Sequence, residues 1–249
     1  MGMGIILKKI VMYFTSLFQK KILFSTDLHS HLIPEIDDGC ETIETSINLI
    51  IKMKKLGYKK LITTPHIMSH KYPNSQETIK QGLFKLRSML KVKNIDIEIE
   101  AAAEYYCDEH FRDLIKKNKL LSFGKNYVLF ELAYTKRPDS LEAVVRELLG
   151  AGFTPVLAHP ERYRFLTEVH EYRVLKNLGL LFQVNVNSMG GYYGKQAKKK
   201  SLMLAQKGMV DFIGSDIHHQ KHMDHFEENI ISNNIEMLFR HNKILNDTI

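Results

Sequence analysis

The sequence predicts an α/β chain folded as a distorted seven-stranded barrel of parallel strands, (β/α)7. Three observations carry that prediction. Seven short β-prone runs alternate with segments of helical periodicity, and His, Glu and Asp residues recur where those runs stop. The chain of 249 residues, 44% hydrophobic and 25% charged, can bury one core of the size that α/β barrels reach. One domain is expected over residues 22–249, preceded by an extension over residues 1–21.

The extension places Ile5, Ile6, Leu7, Ile10, Val11, Phe14, Leu17 and Phe18 near helical spacing, with Lys8, Lys9, Lys20 and Lys21 at the flanks. Its apolar stretch, residues 10–18, is far below the ~20 residues of a membrane span, and no small-x-small cleavage pattern follows it. A basic amphipathic helix remains, lying on a membrane surface or partner, or packing on the barrel.

The first strand is read over residues 22–26 and closes on Asp27-Leu28-His29-Ser30-His31. Residues two apart in a strand face the same way, so His29 and His31 aim two imidazoles at one point. A helix over 41–55 leads to the run 60–64 and then Pro65-His66, and a helix over 75–91 leads to the run 95–100, after which comes Glu104. A helix over 108–119 precedes the run 127–130 and Glu131, and one over 139–149 precedes 154–158 and His159-Pro160. Helices over 169–178 and 195–207 flank the run 181–187. The run 210–214 ends on Ser215-Asp216-Ile217-His218-His219, and a last helix is expected over 226–239. Gly57, Gly150, Gly152, Gly179 and Gly208 stand where these helices must stop. In a closed barrel of parallel strands the active site is built at the carboxyl ends of the strands, where the His and Glu residues fall.

Charge and cysteine usage narrow the function. The net charge of +7 suits an anionic partner, and equally a solvated basic surface; no nucleic-acid partner is expected. Two cysteines, Cys40 and Cys107, are too few for a disulfide framework, which points to a reducing, cytoplasmic compartment. A cysteine phosphatase would place an arginine six residues after its thiolate, but Ser46 and Asp113 stand there.

The candidate ligands are His29, His31, Asp38, His66, Glu104, Glu131, His159, Asp216 and His218, all nitrogen or oxygen donors. That set suits Mn²⁺, Fe²⁺ or Zn²⁺ and excludes sulfur-preferring sites. Nine donors exceed what one ion needs and are enough for three if carboxylates bridge. A lone histidine at a strand end is more often a hydrogen-bonded loop residue; the joint pattern carries the reading. Glu104 and Glu131 edge apolar runs, where an unpaired carboxylate is costly to bury. Asp27 could be a ligand, a partner that orients a ligand imidazole, or a turn residue, and the orienting role is expected. His219, His222 and His225 are read as loop or substrate-facing residues.

The motifs Asp27-Leu-His-Ser-His31, Asp37-Asp38-Gly39, Thr64-Pro-His66, Glu104, Glu131, His159-Pro-Glu-Arg162 and Ser215-Asp-Ile-His218 resemble those of the polymerase and histidinol phosphatase (PHP) superfamily. Within it they are most similar to the metal-dependent protein-tyrosine phosphatases of bacterial capsule and exopolysaccharide operons; Ile36-Asp-Asp-Gly39 and Arg162 favour that branch. The resemblance spans residues 23–226 and implies the TIM-like PHP fold. It implies a first metal on His29, His31, Glu104 and Asp216, a second on Glu104, Glu131 and His159, and a third on Asp38, His66 and His218. It further implies catalytic roles for Arg162, Asp216 and His159, with manganese as the metal and a phosphotyrosine-bearing tyrosine kinase as the partner. The branch's second active-site arginine is absent, and Lys221 or His222 is expected to contact substrate in its place. Clustered cations acidify water for attack at phosphorus, and a phenol of pKa ≈10 leaves without a strong acid, so no phospho-enzyme is needed. The alternatives are a phosphatase of histidinol phosphate or another small molecule, and a non-catalytic metal-binding adaptor of polysaccharide assembly. The enzyme is expected in the cytoplasm, peripheral at the inner membrane if the extension binds there; its oligomeric state stays open.

Overall fold

In a computed structural model of the protein, residues 22–249 are described, and the expected amphipathic extension lies outside them. The strands are β1 (Thr26–Asp27), β2 (Lys60–Thr63), β3 (His66–Ile67), β4 (Glu98–Ala101), β5 (Glu104–Tyr106), β6 (Tyr127–Glu131), β7 (Thr154–Ala158), β8 (Leu181–Asn185) and β9 (Phe212–Gly214). They form two sheets, ordered β1-β2-β4 and β3-β5-β6-β7-β8-β9. Every pairing within these sheets is parallel.

Nine strands stand where seven runs were expected, because two runs continue past a bend into the second sheet. The chain turns at Thr64-Pro65 before β3 and at Ala102-Ala103 before β5. Pro65 has no N–H for a ladder, but Glu104 N–H donates to Pro65 O (3.1 Å), Ala102 N–H to Thr63 O (3.0 Å) and Thr64 N–H to Ser30 O (2.7 Å), so the two sheets stay in step across the bends. At the other side, a parallel bridge joins Ser30 to Ile217. Leu28 just after β1, Ile62, Ala102 just after β4, Leu129, Val156 and Phe212 share one buried cluster with Phe123 and Ala158, drawn from both sheets. The opposite strand faces pack under the helices in a second, larger core, so β6 and β7 read as continuous apolar runs, as strands covered on both faces do.

The helices are α1 (Ile43–Leu56), α2 (Gln76–Val92), α3 (Glu109–Lys116), α4 (Leu141–Gly150), α5 (Val169–Asn177), α6 (Val186–Gly190), α7 (Lys195–Gln206), α8 (Gln220–Asn229) and α9 (Asn233–His241). Local chemistry sets their ends. Thr42, Ser75 and Asp108 cap α1, α2 and α3 by accepting an N–H of the first turn, and Gly57 ends α1 at φ 111°, a conformation that costs glycine little.

Two sequence expectations are corrected here. The run expected over 181–187 stops at Asn185 and turns into α6, and the single helix expected over 226–239 is two helices parted at residues 230–232. The first of the two begins at Gln220, capped by the His219 ring, so His222 and His225 lie on a helix and not in a loop.

Candidate metal centre

The carboxyl ends of the strands converge, and all nine candidate ligands meet there in four overlapping groups whose donor atoms lie within 4.8 Å of one another. The groups are His31, Asp38, His66 and His218; His29, His159 and Asp216; His29, His31 and Glu104; and His66, Glu104 and Glu131. His66 and Glu104 come just past the carboxyl ends of β2 and β4, where the bends open β3 and β5, and Glu131 ends β6. His159 follows β7 at φ 34° and Asp216 follows β9 at φ 52°, both in the left-handed region that a β-carbon disfavours. Strain of that kind persists only where surrounding structure over-determines it, and it gathers at functional sites.

Two of the histidines are turned by a second contact. His29 Nδ1 faces Gln183 Oε1 at 2.7 Å and His31 Nδ1 faces Asp37 Oδ2 at 2.7 Å. Both acceptors fix the proton on Nδ1, and the Nε2 lone pairs point into the cluster. The two Nε2 atoms stand 3.4 Å apart, with Glu104 Oε2 3.2 Å from His29 and 3.4 Å from His31. His66 joins two groups, with Nδ1 3.2 Å from Glu104 and 3.3 Å from Glu131, and Nε2 3.4 Å from Asp38. His159 Nε2 is 3.0 Å from Glu104 Oε1, and His218 Nε2 is 3.6 Å from Asp38.

Electrostatics without a cation are strongly perturbed. Burial would lower the His31 pKa, but Asp37 and Glu104 outweigh it and hold the ring well above its ordinary value. Burial and then Arg162 push His159 down to about 4, and burial with His31 pushes His218 down to about 3. Burial and then the neighbouring Glu104 charge drive Glu131 well above the carboxylate range. Glu104 itself is held well below it, because His29 and His66 outweigh the burial that would raise it.

The test of a metal fit is what these atoms lack. His66 Nδ1, Glu104 Oε2 and His159 Nδ1 are buried with no hydrogen-bond partner, although buried polar atoms are nearly always paired. Glu104 is 1% exposed. An all-nitrogen-and-oxygen donor set with unspent lone pairs fits divalent cations of the harder kind.

Arg162, in the 3₁₀ turn Pro160–Arg162 after β7, donates from Nη1 to Asp216 Oδ2 at 3.0 Å. Its guanidinium lies between two tyrosine rings, 4.6 Å from Tyr134 and 4.2 Å from Tyr193. Asp216 Oδ2 also accepts from Asn185 Nδ2 (2.6 Å) and Tyr193 Oη (3.2 Å), while Oδ1 faces His29. A cleft of about 300 Å³ opens over the cluster, with Asp38, Glu104, Arg162, Asp216 and His222 among its walls.

Two placements, Asp27 and Lys221, differ from expectation. Asp27 orients no imidazole; it accepts from the Ser215 N–H (2.9 Å) and hydroxyl (2.8 Å) and so fastens the loop that carries Asp216. Of the two candidates for a second cationic contact, His222 lines the cleft, with its ring Nδ1 3.1 Å from the accepting Asp216 carbonyl oxygen. Lys221 is exposed, with Nζ 5.9 Å from the Tyr192 ring and outside the cleft walls. Asp37, Gln183 and Asn185 went unnoticed as supports of the site. Gln183 and Asn185 alternate at strand period inside an apolar run, which was a usable signal. The thiols of Cys40 and Cys107 are pushed by burial to about 11 and 12, far from thiolate chemistry.

A family model described as capsular polysaccharide synthesis, CpsB/CapC, matches residues 25–231. The tyrosine-protein phosphatase YwqE of Bacillus subtilis is 29% identical over 198 residues, 78% of each chain. The tyrosine-protein phosphatase CpsB of Streptococcus pneumoniae is 28% identical over 200 residues, 77% of this chain and 82% of that one. A solved structure from a study of YwqE and CpsB, described there as unique metal-dependent tyrosine phosphatases, superposes with a TM-score of 0.72 at 27% identity, covering 88% of this chain and 96% of that one. A lactonase of Listeria monocytogenes shares the fold at a TM-score of 0.54 and 10% identity. The chain belongs to the CpsB/CapC family.

Proposed function

We propose that this member of the CpsB/CapC family is a metal-dependent protein-tyrosine phosphatase acting on a phosphotyrosine-bearing protein, a tyrosine kinase of capsular polysaccharide synthesis. The observation that carries the reading is the buried Glu104 carboxylate, whose Oε2 has no hydrogen bond yet lies within 3.2–3.4 Å of three imidazoles. Three manganese ions are proposed, held by His29, His31, Glu104 and Asp216; by Glu104, Glu131 and His159; and by Asp38, His66 and His218. Glu104 belongs to two of the donor groups, with His29 and His31 and with His66 and Glu131, which makes it the natural bridge. The Ser30–Ile217 bridge and the core cluster common to both sheets support reading the two sheets as one distorted barrel.

Divalent cations bound there would acidify water and offset charge gathering at phosphorus. The chain's own residues do the rest. Gln183 and Asp37 keep the His29 and His31 lone pairs aimed inward. Arg162, stacked between Tyr134 and Tyr193, offers a planar fork to the non-bridging phosphoryl oxygens, where charge grows in the transition state. The two tyrosine rings also wall the cleft mouth with surfaces on which a phenyl group can stack. A phenolate leaving group needs little protonation, and no buried thiol is called on. Residues 1–21 are proposed as a separate basic segment contacting a membrane surface or the kinase. The deciding experiment compares turnover of a phosphotyrosine peptide with that of histidinol phosphate, with Mn²⁺ and after chelation. Metal-dependent turnover favouring the peptide is expected; preference for histidinol phosphate, or full activity without metal, overturns the reading.

A further inference from the structure

Beside the cleft runs a larger groove of about 930 Å³, and Tyr134, Arg162 and Tyr193 belong to the walls of both. The two spaces therefore adjoin, with the stacked Arg162 between them. The groove has about three times the volume of the cleft, more than a phosphotyrosyl side chain fills. Its far walls are the loop after β7 and the start of α7.

The charges there are unbalanced. Arg162 is already paired with Asp216. Arg164 and Lys199 line the groove, are exposed, and make no ion pair among the described residues. Lys200 donates to Tyr163 O at 2.6 Å and adds a third cation to the wall. Of the two carboxylates, Glu161 is buried and accepts the Asn185 N–H at 3.0 Å, which leaves Glu168 as the exposed one. Gly194 caps α7 without a side-chain acceptor, no acidic residue occupies its first turn, and that positive helix end opens on the same groove.

We propose that this groove seats the polypeptide flanking the phosphotyrosine and selects acidic residues, aspartate or glutamate, through Arg164 and Lys199. The proposal rests on the phosphatase reading of the adjoining cleft. The shared wall puts the groove beside the cleft, within reach of a chain whose phosphotyrosine occupies it, and the exposed cations favour side chains of opposite sign.

The test uses two phosphotyrosine peptides that differ only in carrying aspartate and glutamate, or asparagine and glutamine, around the phosphotyrosine. Each is measured by steady-state kinetics and by fluorescence anisotropy, at low and high salt. The Mn²⁺-loaded wild type is set against an Arg164→Glu/Lys199→Glu variant and a Lys91→Glu/Lys116→Glu variant that makes the same net-charge change outside the groove. The expected result is a kcat/KM about tenfold higher for the acidic peptide, carried by KM, weakened by salt, lost in the groove variant and kept in the control. Turnover of p-nitrophenyl phosphate should be the same in all three proteins. Equal kcat/KM for the two peptides, or a preference that survives in the groove variant, overturns the proposal. If neither peptide nor p-nitrophenyl phosphate is hydrolysed, the phosphatase reading fails, and anisotropy then decides the groove: tighter acidic-peptide binding abolished by the groove variant upholds it, and equal binding ends it.

Discussion

Asn246, on the amino-terminal side of the strands, and His159, at their carboxyl ends, are both almost wholly buried, yet they are treated in opposite ways. Asn246 Nδ2 donates to Thr26 O (2.9 Å) and Ile213 O (2.7 Å), and its Oδ1 accepts the Ile213 N–H (3.0 Å), so its side chain ties β1 to β9 with nothing left over. Asp247 beside it accepts the N–H groups of Ser25 and Thr26. At the other end His159 Nδ1, His66 Nδ1 and Glu104 Oε2 have no hydrogen bond. Buried polar groups that are satisfied hold a fold together; buried polar groups left unsatisfied in a converging set await a ligand. The two ends of the parallel strands thus separate stability from chemistry.

The largest effect should come from Glu104→Gln. The amide keeps the shape but surrenders the charge that faces His29, His31, His66 and His159. Phosphatase turnover should fall about 10³-fold, roughly 4 kcal/mol of transition-state stabilisation, with fewer metal ions by elemental analysis and a retained fold by circular dichroism. Undiminished activity with full metal content would erase the contrast between the two ends.

Stability should respond at the opposite end. Asn246→Ala removes three hydrogen bonds and strands the Ile213 N–H, at a cost of about 3 kcal/mol. Urea denaturation should show it, while turnover per folded molecule stays at the wild-type value. Glu131→Gln in chelated protein should instead raise the urea midpoint, because it removes one of two buried carboxylates that both crowd His66 Nδ1. A metal-free Glu131→Gln protein much less stable than its parent would mean that Glu131 is structural.

The contrast also marks how far the sequence could be read. The ligands were legible because His and Glu at the ends of apolar runs are chemically conspicuous, and the strand ends they mark are where parallel strands place a site. β3 and β5 were not, since two or three residues carry no period, and only the bends at Pro65 and Ala102-Ala103 separate them from the runs before. α6 was read as strand because Val184-Asn185-Val186-Asn187 alternates, and tertiary packing overrides that pattern after Asn185. Asp37 was overshadowed by its neighbour: Asp38 is half exposed and faces His66 and His218, whereas Asp37 turns inward to His31 and the His66 N–H.

Arg162 tests the border between the two kinds of residue, because it is both a fastener of Asp216 and the cation nearest the phosphate space. Arg162→Lys keeps the charge but loses the planar fork and the stacking between Tyr134 and Tyr193. Turnover of a phosphotyrosine peptide should fall about 10- to 30-fold with metal content unchanged. An equal loss of metal would assign the arginine to holding Asp216 instead.

The smallest effect is expected at the cysteines, which sharpen the comparison from its other side. Cys40 is buried one residue after Gly39, and its N–H donates to the His31 carbonyl at 3.1 Å, so it stands beside the centre. Burial nevertheless raises its thiol to about 11, and that of Cys107 to about 12. Both are protonated wherever the enzyme works, and a protonated thiol is neither nucleophile nor metal ligand. Cys40→Ser and Cys107→Ser should keep turnover within about twofold, and thiol reagents at pH 8 should leave the folded protein active. The sign of the pH dependence follows from the same shifts. Unfolded thiols ionise near pH 8.5 and folded ones only toward 11 or 12, so the cysteines contribute no slope at lower pH, and stability falls as pH rises from about 9. The Cys107→Ser protein should lose part of that alkaline slope in urea titrations. A single cysteine variant with normal fold and metal content but no activity would place the chemistry on sulfur and undo the separation between the two ends.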